Sequence, residues 1–496
     1  MQPVKSILDG FPRGCGQKRS VGPSAGFANE QDILGAKKLP FDKENADGKF
    51  FLGVIGAQVP NGFAVGGKLI GVLDDRHIVT VAGSRAGKGR AAIVPNLLTY
   101  PGSMLVIDPK GDLARLTAAR RARMGQRVYV LDPFGVSGVS GQFPGTYNPL
   151  RLLQRDSPTL EESPTLVEDA GLIADALVVT DPGVKDPHWD ESARRFIETL
   201  ALHVATDPGH QGRRNLVSVH KLADQALDKT ATVPIDLREN AAANGAVQAG
   251  MSDFYDRDPR ELSSVLSTTR RHLRFLGYAQ MQAVLQDTNS IDLADLKKTA
   301  TTIFLSLPAM RMGTCSRWLR LFVNLALAQM EVVQNQQPYP VLFCLDEFAV
   351  LGHMKTIEDA AGQLAGLGVK LWPILQDLTQ LKALYGDRWE TFLGNAGVLQ
   401  FFGNSDLTTL EWISKRLGET TIVNESKSQV GYHAQASGST GEAYAEAVHP
   451  LLTPEEVARF FGRDDEMLRQ LIIRPSRLPM VLQRAYYDKE PFSDLL

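Results

Sequence analysis

Apolar positions fall into short unbroken runs separated by longer stretches with helical spacing. KLIGVLDDRHIVTVAG, from Lys68, reads as strand, Asp-Asp-Arg turn, strand. SMLVIDPKGD at 103 and RVYVLDPFGV at 127 are each a Val/Ile/Leu-rich run stopped by Asp-Pro-x-Gly, with the basic, helix-compatible LARLTAARRARMG between them. TATTIFLSLP at 299, PVLFCLDEFAVLG at 340, VKLWPILQ at 369 and GVLQFFGN at 397 repeat the strand pattern. Runs apolar at every position, alternating with helices, predict an α/β fold with a mainly parallel sheet buried on both faces. From about 150 to 295 strand-like runs become scarce, and HWDESARRFIETLALHV at 188 has helical periodicity, which predicts an inserted all-α domain. The expected organisation is a loose Gly/Pro- and charge-rich arm over 1–48, a first core part over 49–150, the helical insertion over 151–295 and a second core part over 296–496. Near the C-terminus, Thr453 and Glu456 form a capping-box pattern, and RQLIIRPSRLPMVLQRAYY predicts a strand pair.

Composition changes this picture little. The chain has 496 residues, a net charge of -3 and 43% hydrophobic residues, as ordinary globular proteins do. Three widely spaced cysteines (Cys15, Cys315, Cys344) exclude a disulfide scaffold and suit a reducing compartment. No run approaches the ~20 apolar residues of a spanning helix, and no secretory signal is visible, so a soluble cytoplasmic protein is expected.

The sharpest chemical signal is VAGSRAGKGR. A strand runs into a small-residue loop of Gly83, Ser84, Arg85, Ala86 and Gly87, followed by Lys88, Gly89 and Arg90 at the start of a helix. Small residues let backbone N–H groups converge on phosphate oxygens, and a lysine at the helix start reaches the β- and γ-phosphates. Ala82 stands at the first position of the phosphate-loop pattern and Gly89 at the last, where a hydroxyl usually meets Mg²⁺; water or another hydroxyl must replace it. A second signal is the apolar run Val341–Leu345 ending in Asp346 and Glu347. In a parallel sheet such a strand end faces the ligand crevice: Asp346 suits Mg²⁺, and Glu347 suits activation of an attacking water. Gln376, at the end of another strand, either positions water or serves the following turn. Asp108 and Asp132, each before a proline, fit turn formation better than catalysis. The basic stretches leave Arg270, Arg271 and Arg274 as candidates for nucleic-acid phosphates, with a solvated or ion-paired helix face as the alternative. Trp189 and Phe196, seven residues apart, suit a helical core better than base stacking.

In order, GSRAGKGRAAIVPNLLTYPGSMLVIDPKGDL, LDPFG, TYNPL, CLDEFAVLG, ILQDLTQL and the tail from HPLLTPEEV to RAYYDKEPF resemble the type IV secretion coupling proteins, the TraG-type conjugative DNA-transfer ATPases. The resemblance spans about 65 to 490. It implies a RecA-like P-loop NTPase core using ATP and Mg²⁺, with Lys88, Asp346, Glu347 and Gln376 in the site. It implies a homo-hexameric ring that feeds single-stranded DNA with its relaxase, or protein effectors, to channel proteins at the inner membrane. A neighbour's arginine would complete each site, with Arg317, Arg320, Arg388 and Arg416 as candidates. Most members carry N-terminal membrane helices, which this sequence lacks, so peripheral association through partners is expected. A recruitment platform with little turnover, or a soluble DNA-pumping ATPase outside secretion, are the alternatives.

Overall fold

The computed structural model describes residues 24–154, 165–180, 188–226, 235–286, 290–360, 364, 366–427 and 442–496. The chain forms two compact units. One runs through Tyr100 and takes in Leu375–Ala383 and Ala396–Leu495; the other comprises Pro101–Ile374 and Leu384–Asn395. These boundaries differ from those expected at 48, 150 and 295, because sequence-distant strands pair within each unit.

In the first unit the strands are β1 (Phe50–Ile55), β2 (Lys68–Val72) and β3 (His77–Ala82). The second unit supplies β4 (Met104–Asp108), β5 (Arg127–Leu131), β6 (Thr301–Ser306), β7 (Val341–Leu345) and most of β8 (Val369–Leu375). The first unit resumes with β9 (Ala396–Phe402), β10 (Glu419–Lys427), β11 (Glu442–Pro450), β12 (Arg469–Ile473) and β13 (Met480–Gln483).

In the second unit β8, β7, β4, β6 and β5 lie side by side, all parallel. Every residue of β4, β6, β7 and β8 is buried, as runs without polar alternation require when helices cover both faces. Thr302 is a polar exception with partners on two sides. Thr302 Oγ1 donates to Gln126 Oε1 and accepts from Arg121 Nε at 2.9 Å. Arg121, from the basic stretch over 113–125, is itself fully buried and donates to the Gly102 carbonyl at 2.7 Å. Between Pro149 and Lys298 every described element is helical. Phe196 is buried there, stacked on Phe254 with centroids 3.8 Å apart, while Trp189 is half-buried.

In the first unit β3 and β9 are parallel, and β12, β13, β1 and β2 continue antiparallel. The strand pair expected near the C-terminus is β12–β13, with Arg469 opposite Gln483. The strands around Asp74 do not pair with each other: β2 pairs with β1 and β3 with β9. Asp74 instead chelates Arg76 through both oxygens. A buried amide relay crosses this sheet. Thr80 donates to Gln400 Oε1, Gln400 Nε2 to Gln470 Oε1, and Gln470 Nε2 to the Leu52 carbonyl.

The loose arm expected over 1–48 falls partly outside the described residues, as does Cys15. From residue 24 it carries a short helix, Glu30–Gly35, capped by Asn29, and buries Phe27, Ile33, Leu39 and Phe41. Thr453 and Glu456 make the reciprocal capping box. Cys315 and Cys344 are buried. Among the described residues no helix is long and apolar enough to cross a membrane.

Candidate functional site

The phosphate loop leaves the buried end of β3. Gly83 N–H donates to the Phe402 carbonyl at 3.1 Å, and a Cβ on Gly83 would lie 1.8 Å from the Gly403 carbonyl oxygen, so only glycine fits. Ala86, nearly fully buried, packs with Ala82 and Phe402. Arg85 and Gly87 take left-handed backbone conformations (φ 58° and 88°), which turn the chain sharply before the helix. Ser84 and Arg85 are exposed, and Gly87, Lys88 and Gly89 are half-buried, so the loop backbone and the lysine border solvent.

The helix after Lys88 begins with a π-helical turn, Gly89–Ile93, and continues as Val94–Thr99. Pro95 has no N–H to give the helical ladder, and the wider turn accommodates it. Asn96 anchors this helix to β1: its Oδ1 accepts from Phe51 N–H at 2.8 Å and its Nδ2 donates to the Phe51 carbonyl at 3.0 Å. A Cβ on Gly89 would have nothing within 4 Å, so the place of the missing hydroxyl is open space.

Sequence reasoning missed the clamp on this loop. Arg484, 1% exposed after β13, donates from Nη1 to the Ala86 carbonyl (3.0 Å), from Nε to Leu468 O (3.3 Å) and from Nη2 to Arg463 O (3.3 Å). Burial pushes its guanidinium below the usual value. Arg90 forms a two-pronged pair with Asp488 and lies 4.1 Å from the Tyr486 ring centre, while Tyr487 N–H donates to the Arg90 carbonyl. The signal was an arginine closing an otherwise apolar strand pattern.

Gln376, just beyond β8, belongs to the same unit as the loop. Its N–H donates to Gln380 Oε1 and its carbonyl accepts from Asn404 Nδ2 at 3.1 Å. Asn404 follows Gly403, so the end of β8 is tied to the backbone that packs on Gly83.

In the second unit Asp346 is 9% exposed at the end of β7, and its Oδ1 accepts from Glu347 N–H at 3.0 Å. Glu347 is half-buried and left-handed (φ 53°, ψ 46°), an unfavourable state for a residue with a side chain and one that clusters at functional positions. Asp108, at the end of β4, accepts from Ala114 N–H at 2.9 Å. Burial pushes its carboxyl up to about 6 against the opposing pull of backbone N–H groups, and nearby Asp346 adds to the rise. Asp132 accepts from Val136 N–H, Ser137 N–H and Ser137 Oγ. Both thus shape the segments that follow them, as their Asp-Pro context suggested.

The arginine candidates separate. Arg320 is 5% exposed and donates to the carbonyls of Ala176, Leu351 and His353 within its own chain, and burial pulls its guanidinium down to about 10. It is a structural rivet, which corrects its place among the groups a neighbour could use. Arg317 donates to His272 Nδ1, and Arg388 pairs with Glu358. Arg416 is exposed in the last turn of helix Leu407–Leu417. Of the phosphate-contact candidates, Arg270 pairs with Asp224 and Arg271 with Asp190, the ion-paired alternative, while Arg274 is exposed.

A glycine-built loop between a parallel strand and a helix, together with an acid-ended strand in a parallel sheet, defines the P-loop class of α/β folds. Within that class the chain belongs to the type IV secretory system conjugative DNA transfer family, whose profile matches residues 27–495. Conjugal transfer protein TraG of Escherichia coli is 27% identical over 412 residues, covering 78% of this chain and 62% of that protein. The type IV secretion system-coupling protein VirD4 of Bartonella quintana (strain Toulouse) is 24% identical over 415 residues, 83% of this chain and 62% of its own length. The chain thus spans less than two thirds of these relatives. Among solved structures, the bacterial conjugative coupling protein TrwBdeltaN70 superimposes with a TM-score of 0.61 at 16% identity, over 84% of this chain and 88% of that one. Plasmid coupling protein TrwB in complex with ADP and Mg²⁺ gives 0.59 at 15% identity, with the same coverages. These likenesses establish a shared fold.

Proposed function

We propose that this chain is an ATP-hydrolysing coupling protein that brings single-stranded DNA, with its relaxase or with protein effectors, to a type IV secretion channel. The observation that carries the reading is the phosphate loop, held by the Gly83–Gly403 approach and the Arg484 clamp, in a chain matched by the family from end to end of its core. In this reading the loop from Gly83 to Arg90 holds the triphosphate, through backbone N–H groups beyond Gly83 and through the Lys88 ammonium. Asp346 and water oxygens suit Mg²⁺, which takes oxygen ligands and keeps several waters; bound there, it neutralises developing phosphate charge. Glu347 takes the proton of the attacking water, and Gln376 orients that water. The TrwB complex with ADP and Mg²⁺ supports this assignment of nucleotide and ion.

Assembly as a homo-hexamer would bring in a neighbour's arginine. Arg416, exposed on its helix, fits that role best, and Arg270, Arg271 and Arg274, all exposed, are the candidates for strand phosphates, the first two through exchange of their ion pairs. A peripheral location at the inner membrane, through channel partners, belongs to the same proposal. Gly89 favours one other reading, a platform that binds ATP and recruits substrates with little turnover.

Titrating purified protein with single-stranded DNA while following phosphate release separates them. Hydrolysis that rises with DNA and disappears in Lys88→Ala is expected. Hydrolysis at background at every DNA and protein concentration, with substrate proteins still bound, would establish the platform instead.

A further inference from the structure

The helical part of the second unit holds a cluster that nucleotide chemistry does not use. His203 lies in the last turn of helix His188–Thr206, Asp207 follows the helix, and His210 closes the short 3₁₀ turn Pro208–His210. Asp207 N–H donates to the His203 carbonyl at 2.8 Å and His210 N–H to the Asp207 carbonyl at 3.1 Å, so the backbone folds the three side chains to one side. One donor atom from each lies within 4.8 Å of the other two. The two imidazole rings meet edge to face with centroids 5.3 Å apart, and Asp207 Oδ2 is 2.7 Å from His210 Nδ1.

A hydrogen-bonded Asp–His pair explains only half of this. It does not require a second, 2%-exposed imidazole turned to the same point, nor the pocket of about 450 Å³ beside it. We propose that His203, Asp207 and His210 bind one divalent transition-metal ion, zinc first among them, with a fourth position open to the pocket. Two imidazoles and a carboxylate suit zinc, whereas magnesium and calcium prefer all-oxygen shells. Arg213 and Lys221 line the same pocket, so the open position suits an anionic ligand such as a carboxylate or phosphate.

Asn240 is the backing residue. Its Nδ2 lies 3.1 Å from His203 Nδ1, and its Oδ1 accepts from Ala242 N–H at 2.9 Å. A metal-bound imidazole instead presents N–H on its far nitrogen to an acceptor. Loading therefore turns the amide over, at the expense of the bond from Ala242 N–H and of the one that Nδ2 gives to Thr206 Oγ1 at 3.0 Å. Asn240→Asp offers an acceptor without that rotation and should tighten the site.

The test uses the untagged full chain after chelator treatment, titrated with Zn²⁺ and, separately, with Co²⁺ followed by visible absorption. One equivalent per chain is expected, with the intense d–d bands of a low-coordinate cobalt site. Affinity should fall at least about tenfold in Asp207→Asn and His210→Ala, and rise several-fold in Asn240→Asp. Asp207→Asn keeps size and hydrogen-bonding capacity, so its loss reports the metal and not the fold. Nucleotide retention should be unchanged in all three. Failure of the wild-type chain to take up an equivalent at about 1 µM free zinc, or equal affinity in wild type, Asp207→Asn and His210→Ala, overturns the proposal.

Discussion

The glycine loop and the acid pair are built from opposite materials. The loop of the first unit is built from missing side chains: Gly83 lets the Gly403 carbonyl approach, and Gly87 takes a left-handed turn. Its charged support, Arg484, is buried behind it and engaged by three carbonyls. The acid pair of the second unit is instead a matter of charge and strain: Asp346 almost buried, Glu347 in a left-handed backbone, and Asp108 near enough to feel the Asp346 charge. Gly83 thus tolerates no added atom, whereas the acid pair is expected to tolerate no lost charge. Substitutions should separate along that line.

The largest effect is expected at Gly83→Ala. Its methyl would meet the Gly403 oxygen, and overpacking worth roughly 3 kcal/mol corresponds to about a 100-fold loss of nucleotide affinity. Equilibrium binding of a fluorescent ATP analogue measures it; near-normal affinity would mean that the two loops part easily. Next in size, Arg320→Met should lower the stability of the second unit by about 3 kcal/mol, since three carbonyls lose a charged donor. Denaturant unfolding reads this directly, and an unchanged midpoint would return Arg320 to the set of exchangeable surface arginines.

A smaller, pH-dependent effect centres on His272. It is fully buried, with Asp190 on Nε2 and Arg317 donating to Nδ1. Burial pushes its imidazole down to about 4 from an ordinary 6.5; Arg317 and Arg271 act in the same sense, and Asp190 opposes them. A group depressed on folding contributes stability that is complete above about 6.5 and fades as pH falls toward 4. Thermal melts between pH 7.5 and 4.5 should show this slope flattened in His272→Gln. The smallest change expected is a gain: Gly89→Ser has open space for its hydroxyl and should tighten Mg²⁺–ATP binding about fivefold, roughly 1 kcal/mol. Calorimetric titration with and without Mg²⁺ would show whether the gain depends on the ion.

The parallel sheet was legible because β4, β7 and β8 are apolar at nearly every position and β6 holds the apolar run Ile303–Leu305, a pattern that burial on both faces explains. Lys88 and Asp346 stood out by spacing and strand end, and the structure places Lys88 just after the glycine turn and Asp346 at the end of β7. What stayed hidden was of two kinds. Strands β10 (ETTIVNESK) and β11 (EAYAEAVHP) carry no long apolar run, so they did not announce themselves. The other kind was buried arginine. Arg121, Arg320 and Arg484 look like surface cations in one dimension; only three-dimensional packing supplies the carbonyls that offset the cost of their burial.

In the proposed function Glu347 performs the chemistry and the glycine loop the binding. Parallel measurement of ATP retention and steady-state hydrolysis in wild type and Glu347→Gln tests it most directly. Retention should be equal in the two, with turnover about 10²–10⁴ lower in the variant. Equal turnover, or retention lost together with turnover, would contradict it.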